Sequence, residues 1–174
     1  MTLPALRERL KSGPPLIATF SIIPSVEVVE LIGLAGFDAI IIDLEHGSHG
    51  SEALGPLILA AKARGIYPLV RVRTSRPSEI GAALDAGAAG VIVPQIGSLG
   101  EAEKAVRAAR FAPEGNRGAN PFARAADYSG RLEWFAEANR DAAILLMIEG
   151  QSALLAAREI AALPNLDGIF IGPM

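Results

Sequence analysis

The sequence predicts an α/β protein, a (β/α)8 barrel of the TIM type. Three observations carry that expectation. "FDAIIID" (37–43), "AAGVIVP" (88–94) and "LDGIFIG" (166–172) share one pattern: a small or turn-forming residue near the start, a run of aliphatics, and a stop on Asp, Pro or Gly. Short apolar runs of this kind, separated by helical stretches, mark strands buried on both faces of a parallel sheet. Strands and helices then alternate along the chain, as in α/β folds. Finally, polar residues recur where the strands end, at Asp43-Leu44-Glu45-His46, Arg71, Pro94-Gln95 and Glu149. Barrel enzymes carry their sites on that face.

Taken in order, "MTLPALRERLKSG" reads as a short amphipathic helix. "LIATF" (16–20) is the first strand, and "SVEVVELIGLAG" follows as a helix opened by Ser and closed by Gly. The strand 37–43 leads to the helix "SEALGPLILAAKARG". "YPLVRV" (67–72) leads to "PSEIGAALDAGA", and 88–94 to "SLGEAEKAVRAARF", where Ala102, Ala105, Val106 and Ala109 recur at helical spacing. Residues 113–130, rich in Gly, Pro, Asn and Arg, read as a long ordered loop of the kind that often serves a site. "AAILLMIE" (142–149), the helix "SALLAAREIAAL" and the strand 166–172 close the series. About six βα units are present, where a closed barrel has about eight strands. The expectation is one barrel domain over 1–174, truncated on its C-terminal side, with two further units beyond it.

Composition narrows the function. A chain of 174 residues, 51% of them hydrophobic, suits one domain with a sizeable core. No apolar run reaches the roughly 18 residues needed to cross a membrane. Nothing in it resembles a targeting segment, so the cytoplasm is expected. The absence of cysteine excludes disulfides, thiolate metal sites and a cysteine nucleophile. Net charge is −3 with scattered basic residues, which gives nucleic-acid binding no support.

Candidate chemistry gathers at the strand ends. His46 follows a buried strand and is the side-chain type suited to proton transfer near neutral pH; it also reads as an incidental loop histidine. His49, the other histidine, reads as a loop residue. Asp43 and Asp85 are candidate carboxylate partners for His46, and Asp85 reads equally as a helix-terminal carboxylate. Arg71 ends an apolar strand, where an arginine needs an anion: a structural ion-pair partner or a substrate oxyanion. Arg73 lies in the loop beyond it. Glu149 closes another apolar strand, either paired with Arg71 or holding a cation. Carboxylates without cysteine suit a hard ion such as Mg²⁺ or Mn²⁺. The three lysines, Lys11, Lys62 and Lys104, lie outside the strands. A Schiff base therefore has no candidate residue, and carbonyl chemistry would need a metal Lewis acid.

"IIIDLEHG", "LVRV", "LDAGAAGVIVPQI", "PEGNRGA", "IEG" and "GIFIGP" stand in the order seen in the HpcH/HpaI aldolases. The chain resembles that family from about residue 15 to 174. The resemblance implies a class II aldolase that takes pyruvate and an aldehyde as substrates. It implies a divalent ion (Mg²⁺, Mn²⁺ or Co²⁺) as cofactor and a homo-oligomer, hexameric or a trimer of dimers, with no nucleic-acid or membrane partner. By position, His46 is similar to the base, which acts through a bound water, and Asp85 to the aspartate that raises its basicity. Arg71 is similar to the residue that stabilises the enolate, and Glu149 to the first metal ligand. A second ligand is expected just after Met174. Met147 occupies a substrate-contact position commonly held by Gln, and Gly172 to Met174 are expected near the pyruvate carboxylate. A citrate-lyase β-type thioester lyase and a non-catalytic oxo-acid-binding relic are the alternatives.

Overall fold

The computed structural model describes residues 3–172. Six strands form one sheet: β1 (Ala18–Ser21), β2 (Ala39–Asp43), β3 (Tyr67–Arg71), β4 (Gly90–Val93), β5 (Ala143–Ile148) and β6 (Gly168–Ile171). Every neighbouring pair is parallel, and the strands lie in chain order from β1 to β6. A doubly wound sheet reverses its order at a switch point; this one does not. Right-handed crossovers with no reversal put the helices on one side, the arrangement of part of a TIM-like barrel. Where eight strands are the expectation, six are present among the described residues, and β1 and β6 are edges.

The two-residue period of the strands sorts the core. Ile40, Ile42, Val70, Val91, Val93, Ile144, Leu146 and Ile148 point outward into the large cluster shared with the helices. Ala39, Ile41, Tyr67, Leu69, Ile92, Ala143 and Met147 form a smaller inner cluster with Leu6. That alternation fixes which face each strand-end side chain takes.

The helices are α1 (Leu6–Ser12), α2 (Val26–Leu34), α3 (Leu54–Ala63), α4 (Pro77–Asp85), α5 (Leu99–Ala108), α6 (Trp134–Asp141), α7 (Gln151–Leu155) and α8 (Ala157–Ala161). Ser25 caps α2, its Oγ accepting the Val28 N–H at 3.2 Å; Ser98 caps α5 in the same way. Pro77 opens α4, where its missing N–H costs nothing. Two helices differ from expectation. The segment 152–163 forms α7 and α8 with a break at Ala156, not one helix. Helix α6 is not anticipated by its sequence, which mixes charge into a short stretch. Packing makes it: Trp134 and Phe135 meet the Phe111 ring edge-on at 5.3 and 4.7 Å. Buried Asn139 exchanges two hydrogen bonds with the Phe111 backbone, at 2.7 and 3.0 Å.

A charged cluster closes the amino end of the sheet. Arg110 is fully buried. Asp167 accepts from Arg110 Nη2 at 2.7 Å, from Arg7 Nε at 2.6 Å and from the Ile144 N–H at 2.8 Å. Arg7 thereby ties α1 across the inner cluster. Burial pulls the Arg110 guanidinium below its ordinary value against the opposing pull of Asp167. Removing one partner of a buried pair leaves an uncompensated charge. Asp167→Ala is expected to cost about 3–5 kcal/mol of stability, read as a lowered midpoint in urea unfolding.

Candidate active site

Strand parity aims Asp43, Arg71 and Glu149 to the inner side at the carboxyl ends, and register sets Asp43 directly beside Arg71. Arg71 Nε donates to Asp43 Oδ1 at 2.9 Å and Nη2 to Oδ2 at 2.6 Å, a bidentate fork. The third nitrogen, Nη1, lies 3.3 Å from Glu45 Oε2. Phe20 of β1 stacks on the guanidinium at 4.7 Å and meets Phe170 of β6 edge-on at 5.8 Å. The arginine is thus held on three sides. Hydrogen bonds and charge from Asp43 raise its pKa above the ordinary guanidinium value against the pull of burial.

Asp43 is buried and does more than pair. Its Oδ1 also accepts the backbone N–H groups of Glu45 at 3.0 Å and His46 at 3.3 Å, which turns the chain sharply out of β2. Burial pushes the Asp43 carboxyl up, but the Arg71 fork and the two N–H donors outweigh it and hold it below the ordinary value. Asp43 therefore positions the His46 backbone, not its imidazole. The imidazole is exposed, with Nε2 3.9 Å from Glu45 Oε2.

His49, read as a loop residue, is 6% exposed, and neither ring nitrogen has a partner among the described residues. Its carbonyl oxygen accepts from Arg73 Nη2 at 2.6 Å. The ring packs against Gly47, where a methyl group would lie 2.1 Å from the Asp43 carbonyl oxygen and 2.7 Å from His49 Cε1. Only glycine fits there.

Glu149 is not paired with Arg71. Its Oε1 accepts the Gln95 backbone N–H at 2.5 Å; Oε2 has no hydrogen-bond partner among the described residues. Gly172 abuts it, since a Cβ there would lie 3.3 Å from Oε2 and 3.2 Å from Met147 Cε. Met147 is buried in the inner cluster beneath. Met174 lies outside the described residues. Gln95, placed at a strand end by the sequence but given no role there, joins the site: its side-chain Nε2 donates to Glu45 Oε1 at 2.8 Å. The signal available was its place directly after a buried strand, in Pro94-Gln95.

Asp85 stands apart. It closes α4, whose carboxyl end leads into the start of β4, so it lies at the amino ends of the strands. There it pairs with Arg117, which stacks on Phe111 at 4.4 Å. One chain does not bring Asp85 to His46, because helix and strand run in opposite senses. A cavity of about 750 Å³ at that same end is lined by Lys62, Tyr67, Ala89, Arg117 and Trp134. It sits opposite the face that carries barrel chemistry.

Of the rim carboxylates, Asp43 and Glu45 have both oxygens engaged, and Glu149 keeps one open. A hard oxygen of that kind fits a divalent cation. Among the described residues no group of three His, Asp or Glu side chains could hold a metal ion, so Glu149 alone does not make a metal site.

A profile of the HpcH/HpaI aldolase/citrate lyase family matches residues 17–174. The chain belongs to that family. The 5-keto-4-deoxy-D-glucarate aldolase of Escherichia coli is 38% identical over 144 residues, 83% of this chain and 56% of that protein. The chain thus spans little more than half the length of that curated relative. An HpcH/HpaI aldolase/citrate lyase family protein from Burkholderia cenocepacia J2315 superposes with a TM-score of 0.90 at 32% identity, over 97% of this chain and 68% of that one. The citrate synthase SbnG superposes at 0.86 with 34% identity, over 97% and 65%. These family members are named for aldol cleavage or for citrate chemistry.

Two outcomes follow from the rim geometry. A carboxyl depressed on folding contributes stability above its unfolded pKa and loses it as pH falls through the folded value. Asp43→Asn is therefore expected to destabilise at neutral pH and to flatten the acid limb below about pH 4, measured by thermal melts across pH. Gly47→Ala is expected to cost about 1–3 kcal/mol by overpacking the turn, read by urea unfolding.

Proposed function

We propose that the protein reversibly cleaves a 4-hydroxy-2-oxo acid into pyruvate and an aldehyde, through a pyruvate enolate. The observation that carries this is Arg71, locked by Asp43 and Glu45 beside a carboxylate, Glu149, with one oxygen open. Membership of an aldolase family supports the reaction class.

Glu149 is the residue that would hold a divalent ion, and such an ion supplies a Lewis acid that polarises the 2-oxo group. Arg71 offers positive charge to the oxygen on which negative charge develops as the carbon–carbon bond breaks. Because the fork to Asp43 already fixes it, little reorganisation is needed as that charge forms. His46, exposed at the mouth, takes the proton from the 4-hydroxyl as the aldehyde carbonyl forms, directly or through water. Phe20 and Phe170, packed edge-on beside the guanidinium, give the site an apolar wall. The lysines lie on α1, α3 and α5, away from this rim, so the strand ends offer no Schiff-base nitrogen. The pairing of Asp85 with His46 that the family resemblance implies requires a neighbouring copy, in keeping with a homo-oligomer. Pyruvate's carboxylate is proposed to lie against Gly172 and the residues after it, above Met147.

A second reading, citrate-type chemistry on a related oxo acid, is favoured by the likeness to SbnG. Proton NMR of pyruvate in D₂O separates the two. The aldolase reading expects loss of the methyl signal with Mn²⁺ and its retention with EDTA. No exchange with Mn²⁺ bound would contradict it and favour the second. Arg71→Lys keeps the charge but loses the fork, and is expected to slow exchange by about 10²–10³-fold. Unchanged exchange would remove Arg71 from its role.

A further inference from the structure

The cavity of about 750 Å³ at the amino ends of the strands has no part in the chemistry of the rim. Small side chains leave it open: Ala88 and Ala89 ahead of β4, Ala125 in the long loop and Ala138 on α6. Its size falls within the roughly 300–1,000 Å³ of small-molecule sites. Tyr67 and Trp134 face it with aromatic surface.

Most of the charge in its walls is already paired. Arg117 donates to Asp85, Arg131 to Glu137 at 2.6 Å, and Arg140 to Asp141 at 2.8 Å. Two lining groups stand outside these pairs, Lys62 of α3 and Asp127. Each feels the other's charge, but no ion pair joins them among the described residues. The Lys62 ammonium reaches over Gly87, where a Cβ would lie 3.2 Å from Nζ. Gly87 has φ +99°, a conformation that favours glycine, and its missing side chain leaves the ammonium room. That ammonium donates no hydrogen bond among the described residues. The residue opens to solvent through the cavity, yet packing around its charge lowers its pKa; Asp127 draws it back up and Arg124 pushes it further down. A cation drawn partly out of water costs free energy unless an acceptor meets it. An anion entering the cavity would offset that cost, with the Arg117 guanidinium in the same wall.

We propose that this cavity is a second small-molecule site, and that it takes an organic acid: one carboxylate on a compact apolar body. Lys62 meets the carboxylate, and the apolar body lies against Tyr67 and Trp134. Arg117, pinned by Asp85 and stacked on Phe111 at 4.4 Å, adds positive charge without moving. Asp127, Glu137 and Asp141 also line the cavity, so a second negative charge on the ligand is disfavoured. None of these residues lies at the rim, so the site does not depend on the metal-assisted reading.

Trp134 is the only tryptophan in the chain, so its fluorescence reports on this cavity. Cyclohexanecarboxylate is the probe, and cyclohexanecarboxamide, of the same shape but neutral, is its control. The acid is expected to give a saturable change in the parent protein, and the amide to bind about tenfold more weakly or worse. Lys62→Met keeps the stem, loses the charge, and is expected to weaken binding of the acid by about tenfold. Lys62→Arg keeps the charge and is expected to retain binding. Thermal melts check that both variants fold; if Lys62→Met melts early, the contrast of acid with amide in the parent decides. Equal binding of acid and amide, or undiminished binding of the acid by folded Lys62→Met, would overturn the proposal. So would the lack of any saturable change, the result expected if a second copy of the chain fills the cavity in solution.

Discussion

The buried fork between Asp43 and Arg71 is the interaction on which the rim depends. It joins β2 to β3 at the level where both strands end, and register alone sets the two side chains together. One carboxylate does three tasks. It neutralises a guanidinium that could not otherwise sit on an apolar strand, it fixes that guanidinium's plane, and it captures two backbone N–H groups that start the loop carrying Glu45 and His46. A buried ion pair is weak evidence for net stability. Its value here lies in direction: Arg71 cannot turn, so its remaining nitrogen and its face point into the mouth.

The two ends of the sheet use charge differently. At the amino end, Arg7, Arg110 and Asp167 bond one another and the backbone, with the buried guanidinium Nε of Arg110 left without a partner among the described residues, and α1 closes over them. Arg117 and Asp85 form a second such pair there. At the carboxyl end the second oxygen of Glu149 has no partner among the described residues. Paired charges buried under a helix hold a fold; an open carboxylate oxygen on a rigid rim is where a ligand can be taken up. The division follows the barrel rule that one face serves stability and the other chemistry.

Much of this was legible in the sequence. An aliphatic run broken by a charged residue marks a strand and its end at once, which is why Asp43, Arg71 and Glu149 stood out. Other features depend on the third dimension. That Arg71 takes Asp43, 28 residues away, and leaves Glu149 alone is a fact of strand register. Asp85 shares a glycine-rich motif with the start of β4, and a motif does not say which end of a barrel it occupies. The burial of His49 follows from the tight turn at Gly47. Helix α6 is made by an aromatic cluster drawn from two separated segments, and packing there overrides local propensity. The place of Gln95 at a strand end was legible, but its bonds to Glu45 and Glu149 were not, because they depend on how the chain turns there.

The rim turns on Glu149 Oε2, which has no partner among the described residues. Anomalous diffraction from crystals of the protein soaked in MnCl₂ reads it directly. The predicted result is a manganese peak within coordination distance of that oxygen, with the Asp43–Arg71 fork intact beside it. A peak bridging Asp43 and Glu45, with Glu149 unengaged and Arg71 displaced, would contradict the assignment of Asp43 as the clamp and Glu149 as the ligand.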